Sequence, residues 1–133
     1  MARGSCLCGA VAYEVTLPFD VIHNCHCGRC RKARAAAHTT NGFVRVEAFR
    51  FTHGADAVRT FPLPGARRFA QAFCTTCGSA MPRVSVDRGV VVVPLATLDD
   101  DPGAGPQDHI HVGSKAEWFT IADALPQFER GPR

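Results

Sequence analysis

The sequence predicts a mainly β domain, and three observations predict it. Short apolar, β-branched and aromatic runs recur along the 133 residues, separated by Gly, Pro, Asn and Asp turn signals. Only Arg29 to Ala37 is rich in helix formers, and it is long enough for a brief helix at most. All seven cysteines fall into three groups, Cys6-Leu7-Cys8, Cys25-His26-Cys27-Gly28-Arg29-Cys30 and Cys74-Thr75-Thr76-Cys77. CxC, CxCxxC and CxxC are metal-ligand spacings, and the remainder reads as a scaffold that gathers them.

In chain order, Cys8 to Val15 alternates, with Val11, Tyr13 and Val15 on one face, and is expected to be a strand ended by Leu17-Pro18. Phe19 to His23 reads as a second short strand that delivers the chain to Cys25. Thr39-Thr40-Asn41-Gly42 carries an Asn-Gly turn signal. Phe43 to Glu47 and Phe49 to Thr52 follow as strands, and His53-Gly54-Ala55-Asp56 as the next turn. Val58 to Phe61 is a strand closed by Pro62-Leu63-Pro64-Gly65. Arg67 to Phe73 alternates again and ends at Cys74. Ala80 to Val86 and Val90 to Pro94 flank Asp87-Arg88-Gly89 as a hairpin, with Pro82 at an edge or start. Leu98 to Gln107 is an acidic, Pro- and Gly-containing loop. His109 to Val112 is a late strand with both histidines on one face, and Trp118 and Phe119 are expected in the core or in a pocket wall.

A chain of this length buries about two thirds of its unfolded surface, which fits one domain over residues 1–133. Fifteen basic and 12 acidic residues leave a net charge of +3. Nucleic-acid binding normally brings a wider basic surface. No apolar run approaches the roughly 20 residues of a membrane helix, and no apolar signal segment precedes Cys6. A cytoplasmic protein is expected, where thiols stay reduced and cysteine clusters are read as metal or catalytic sites before disulfides.

Thiolates are soft ligands, and four of them in tetrahedral geometry are a common structural zinc site. Cys6, Cys8, Cys74 and Cys77 can supply one such site, with Gly78 giving the chain room to fold back. It would contribute about 10 kcal/mol to folding. Cys25, Cys27 and Cys30 are then one ligand short of a closed site, which is the arrangement of catalytic zinc: three protein ligands and an open position for water or substrate. Other readings stand beside this one. All seven cysteines could serve a single structural site with bystanders. Cys27 and Cys30 could be a redox pair, although the thioredoxin-like βαβ pattern is absent. His23 or His26 could complete the second site, although His26 sits between two ligands and is expected to point away.

The segments Gly4-Ser-Cys-Leu-Cys-Gly-Ala-Val-Ala-Tyr13, Cys25-His-Cys-Gly-Arg-Cys-Arg-Lys32 and Phe73-Cys-Thr-Thr-Cys-Gly78 resemble the glutathione-dependent formaldehyde-activating enzyme family, also called centromere-protein-V-like. Ile110 to Phe119 and Leu125-Pro-Gln-Phe128 are similar to that family's C-terminal segment. The resemblance implies an Mss4-like β-tent fold with two zinc ions, one structural on Cys6, Cys8, Cys74 and Cys77 and one catalytic on Cys25, Cys27 and Cys30. It also implies a carbon–sulfur lyase that forms or breaks S-(hydroxymethyl)glutathione from a thiol and a small aldehyde.

Arg29, Arg31, Lys32 and Arg34 crowd beside the second cysteine group. They read either as contacts for an anionic thiol such as glutathione or as a solvated face that offsets thiolate charge. Arg67 and Arg68 read as surface charge, and Trp118 as a candidate stacking contact. The competing class is a non-enzymatic zinc module that binds a protein or nucleic-acid partner, supported by the basic cluster alone.

Overall fold

The computed structural model describes residues 1–131 and builds them from ten short strands and one helix. The strands are β1 (Ala2–Ser5), β2 (Ala12–Val15), β3 (Val21–Cys25), β4 (Thr39–Arg45), β5 (Phe49–His53), β6 (Val58–Pro62), β7 (Ala70–Cys74), β8 (Arg83–Ser85), β9 (Val90–Pro94) and β10 (Asp108–Ile110), with helix α1 (Gly28–Arg34) after β3. They form a three-stranded sheet β1-β2-β5, a five-stranded sheet β10-β3-β4-β9-β8 and a two-stranded sheet β6-β7. All ladders are antiparallel except β10 on β3.

The alternation expected for Val11, Tyr13 and Val15 holds, since all three are at most 1% exposed. Tyr13 and Val15 pack with Ala2 from one sheet against Val44, Val91 and Val93 from another. Tyr13 is the largest of these, and its hydroxyl meets Thr97 Oγ1 at 2.7 Å, so its polar end is satisfied inside the core. A second cluster joins Val11 and Met81 to Cys6 and Cys74. This sulfur-containing cluster adjoins the aliphatic one through Phe51, which packs against both.

The Asn41-Gly42 signal does not make a turn. Both residues lie inside β4, paired with Ile22 and His23 on one side and with Val93 and Pro94 on the other. Gly42 serves close approach instead: a Cβ there would sit 2.5 Å from the Phe19 ring. The predicted strand Phe19 to His23 begins later and runs through Cys25. The helix is shorter than Arg29 to Ala37, because Ala35 adopts a left-handed conformation (φ 50°) and its N–H closes the helix on the Arg31 carbonyl. The late strand stops at Ile110, and His111 has φ 57°, so His109 and His111 do not share a strand face. Among the described residues, no helix is long and apolar enough to cross a membrane.

Overpacking at Gly42 sets a first expectation. Gly42→Val forces the Phe19 ring off the strand and is expected to lower unfolding free energy by about 2–3 kcal/mol. Chemical denaturation would read it, and an unchanged midpoint would contradict the packing described.

Candidate metal centre

Local geometry gathers the first sulfur group. Cys6 follows β1, and Gly9 with φ 80° turns the chain back, its N–H reaching the Cys6 carbonyl at 3.1 Å. Cys74 ends β7, and Gly78 with φ 79° repeats the device, its N–H reaching the Cys74 carbonyl at 2.7 Å. These two left-handed glycines need no strained side chain. The sulfurs of Cys6, Cys8, Cys74 and Cys77 all lie within 4.8 Å of one another. Cys6 and Cys8 are 3.7 Å apart, and Cys8 and Cys74 are 3.9 Å apart. Zinc–sulfur bonds of about 2.3 Å in a tetrahedron place sulfurs about 3.8 Å apart, so the set fits one ion.

Donors surround these sulfurs. Val11 N–H points at Cys6 Sγ from 3.2 Å. The Ser79 hydroxyl is 3.2 Å from Cys77 Sγ and accepts from Leu7 N–H at 2.9 Å. The Ser79 hydroxyl brings the Cys77 thiol down to about 5, so this group is primed to hold a cation as thiolate.

The second group comes from one continuous segment. Cys25 closes β3, Cys27 is the residue that caps α1, and Cys30 sits in the first helical turn. Cys27 Sγ accepts from Cys30 N–H at 3.4 Å. The three sulfurs lie within 4.8 Å of one another. Hydrogen bonding from Cys25, then Cys30, favours the Cys27 thiolate and lowers it to about 2, while hydrogen bonding to Cys27, then Cys30, pushes Cys25 up. Neither His23 nor His26 joins the three sulfurs.

His26 instead points into the core, fully buried. Its Nε2 is 2.8 Å from His109 Nδ1, and His109 Nε2 is 3.0 Å from Asp123 Oδ2. With Asp123 as acceptor, His109 Nε2 carries the proton, and the hydrogen-bond pattern then assigns the proton between the rings to His26 Nε2. Burial, then the neighbouring His38, His109 and Lys115, lower His26 to about 4 and keep it neutral. Its backbone N–H donates to the Ile110 carbonyl at 3.0 Å, so the residue between two ligands is tied to β10 by backbone and side chain together. In the sequence His109 reads as one of two histidines on a strand face, and Asp123 belongs to no motif. Nothing local in the sequence signals a pairing 83 residues apart. His23 is paired to Asp108 at 2.6 Å.

Two spaces meet at the second group. An open cleft of about 610 Å³ is lined by Cys25, Cys27 and Cys30 together with Arg29, Arg67, Arg68, Arg83, Arg88 and His111. A smaller, more enclosed cavity of about 130 Å³ adjoins it, lined by Cys25, Cys30, Arg34, Thr39, Asn41 and Arg83 among others. Burial, then repulsion from Arg88, lowers the Arg83 guanidinium, and burial likewise lowers Arg34. Arg67 and Arg68 are exposed, as read, yet both line the cleft.

The sequence-predicted contacts divide. Arg29 lines the cleft. Lys32 lines an adjoining apolar groove with Phe61, Leu63 and Phe69, and Arg31 lines neither cysteine cavity. Trp118, expected in the core or a pocket wall, is 73% exposed. Phe119 takes the inward position, with ring centres 5.9 Å from His26 and 5.6 Å from His38, which turns its neighbour outward. Arg83, Arg88 and His111 were missed. They converge from the β8–β9 hairpin and from the end of β10, which no local spacing connects to the cysteines.

The family model described as glutathione-dependent formaldehyde-activating enzyme matches residues 1–114. The chain belongs to this family. A curated relative from Halomonas elongata, named "Putative glutathione-dependent formaldehyde-activating enzyme", is 27% identical over 131 residues, covering 91% of this chain and 81% of that protein. A crystal structure of a Rhodobacter sphaeroides protein is 28% identical with a TM-score of 0.61, covering 78% of this chain and 97% of that one. Family membership and the mainly β architecture stand beside two cysteine sets whose sulfurs lie close enough together to hold metal ions.

Metal content provides the direct check. Purified protein is expected to hold two ions per chain, and Cys27→Ser/Cys30→Ser to hold one and stay folded. A value near one in both would overturn the two-centre geometry. Cys74→Ser is expected to unfold the chain, since a structural centre is worth about 10 kcal/mol. Loss of the buried ring in His109→Ala, which also strands His26 Nε2, is expected to cost about 3 kcal/mol by denaturant titration.

Proposed function

We propose that this chain joins a thiol to a small aldehyde at the Cys25–Cys27–Cys30 centre, in the manner of a carbon–sulfur lyase, with glutathione as the thiol and formaldehyde as the aldehyde. The observation that carries this reading is a three-sulfur group at the floor of a cleft whose wall holds five arginines. Three thiolates leave a divalent ion one position short of a closed shell. A zinc ion held there would supply Lewis acidity and lower the pKa of a bound thiol. Cys6, Cys8, Cys74 and Cys77 would hold the second, structural zinc.

The chain's own residues bind and orient. Arg29, Arg67, Arg68, Arg83 and Arg88 supply forked N–H donors that match carboxylates, and glutathione carries two of them. Binding there directs the thiol toward the sulfur triad. The thiol loses its proton, a carbon–sulfur bond forms at the aldehyde carbon, and the carbonyl electron pair moves onto oxygen, which takes up a proton. His111 and the cleft guanidiniums offer donors where that oxygen gains charge. The reverse sequence releases the aldehyde.

The alternative of a partner-binding module fits the charge less well. The arginines converge on one concave site beside the sulfurs, whereas a nucleic-acid surface is an extended stripe. Small-molecule recognition accounts for that convergence.

Exchange spectroscopy on a mixture of formaldehyde, glutathione and their adduct is expected to show exchange faster than in buffer alone. Cys27→Ser is expected to return it to the buffer rate. Arg88→Met, removing one charge-assisted contact worth about 1.4 kcal/mol, is expected to raise the KM for glutathione about tenfold with kcat little changed. Exchange equal to buffer with the metal-loaded protein would overturn the proposal.

A further inference from the structure

The cavity beside the sulfur triad has no role in the reaction as proposed with formaldehyde. It shares Cys25, Cys30, Phe69 and Arg83 with the cleft, and its further lining comes in part from β4 and α1. Its volume of about 130 Å³ corresponds to about four water-sized groups, at about 30 Å³ each. Formaldehyde has two non-hydrogen atoms and would leave most of it unfilled.

The polar wall is cationic and donor-rich. Arg34 and Arg83 both line it, and among the described residues neither makes an ion pair and no Asp or Glu lines the cavity. Arg34 Nη1 donates to Asn41 Oδ1 at 3.0 Å, and Asn41 Nδ2 donates to Thr39 Oγ1 at 3.3 Å, so the three form one connected polar row. Thr39 is 2% exposed and Asn41 9%. Arg34 Nε is buried and has no hydrogen-bond partner. A buried guanidinium N–H normally has an acceptor. Asp108, the register partner of the cavity-lining His23, is committed to that ring at 2.6 Å. With a divalent ion, the three cysteine thiolates carry one net negative charge, against two guanidiniums on the cavity wall and four more arginines in the cleft.

We propose that this cavity binds a small carbonyl compound bearing a carboxylate, an aldehyde acid of the glyoxylate class, with Arg34 and Arg83 holding the carboxylate and Thr39 and Asn41 lining the space beside it. The inference rests on the reading of the cleft as the thiol site and names the second substrate for it. A thiol in the cleft and a carbonyl in the cavity then meet at the sulfurs that both spaces share. The thiol sulfur attacks the aldehyde carbon. One carbon–sulfur bond forms, the carbonyl π pair moves to oxygen, and the proton given up by the thiol ends on that oxygen. The product is a hemithioacetal that keeps the carboxylate, and nothing is oxidised or reduced.

The test uses the full metal-loaded chain and two probes. Oxamate is a non-reacting isostere of glyoxylate, and its titration is followed by the amide resonances of Thr39 and Asn41. Saturable shifts at both are expected, weakened at least tenfold in Arg83→Met and in Arg34→Met. Arg83→Lys and Arg34→Lys keep the charge and lose the fork. They are expected to bind with intermediate affinity, so a folding failure of either methionine variant leaves the wall testable. Exchange spectroscopy with glutathione then compares glyoxylate with formaldehyde, and a glyoxylate preference of tenfold or more in kcat/KM is expected. Absence of saturable shifts at Thr39 and Asn41 in the unmodified chain overturns the cavity assignment, as does equal binding by the arginine variants. Catalysed formaldehyde exchange without oxamate binding sinks this inference and leaves the thiol–aldehyde reading standing. Oxamate binding with no catalysed exchange of either aldehyde keeps the cavity as a carboxylate site and overturns the thiol–aldehyde reading together with the hemithioacetal step placed on it.

Discussion

Cys6, Cys8, Cys74 and Cys77 join two sheets that share no hydrogen-bonded ladder. Two-stranded sheets such as β6-β7 are marginal alone. Here the end of β7 meets the β1–β2 connection through the Cys74 and Cys8 sulfurs, 3.9 Å apart, and its start is held to α1 by Gln71 Nε2 donating to the Ala33 carbonyl at 3.2 Å. Arg67, Arg68 and Phe69 lie just before β7 and form one wall of the cleft. Cys74 ends the strand whose preceding residues line the space beside the three-sulfur group, so one strand runs from one sulfur group to the wall of the other.

The three-sulfur segment is fixed by a different device. Its flanks are β3 and α1, and its central residue is drawn into the core by the His26–His109–Asp123 row. Because His26 turns inward, Cys25 and Cys27 on either side turn toward the opposite space. Alternation along an extended chain makes that division automatic. A histidine inside a CxCxxC segment thus acts here as an anchor whose direction determines where the sulfurs point. The anchor itself rests on the loop after β10, where His109 N–H donates to the Pro126 carbonyl and Phe128 N–H to the His109 carbonyl, each at 2.9 Å.

The sulfur chemistry was legible in the sequence because each group is local. CxC, CxCxxC and CxxC place their sulfurs within one turn, and a four-to-three division follows from tetrahedral coordination. Hydrophobic alternation made β2 legible for the same reason, since Val11, Tyr13 and Val15 report their own burial. Features that depend on distant partners were not legible. Asn41-Gly42 has the composition of a turn, but Phe19 packs over it and β3 and β9 flank it, so the ladder overrides the local signal. Trp118 has the hydrophobicity of a core residue, yet Phe119 occupies the inward site. Arg83 and Arg88 carry no mark in sequence of the cleft they line, because the β8–β9 hairpin brings them there from more than 50 positions beyond Cys30.

Charge explains why these separated arginines collect where they do. Guanidiniums side by side repel, and burial adds a desolvation cost, as the lowered Arg34 and Arg83 show. Such a cluster persists when it faces negative charge. The sulfur triad supplies part of it: both guanidiniums are favoured by Cys30, a smaller effect than their burial. Once a divalent ion neutralises most of the thiolate charge, the arginine wall is left with excess positive charge directed at a space of molecular size. A neutral aldehyde and a neutral thiol would leave that excess unmatched, whereas carboxylates on both partners would match it from the cleft and from the cavity. The same electrostatic imbalance that disfavours the empty site would thus favour anionic substrates over neutral ones of equal size.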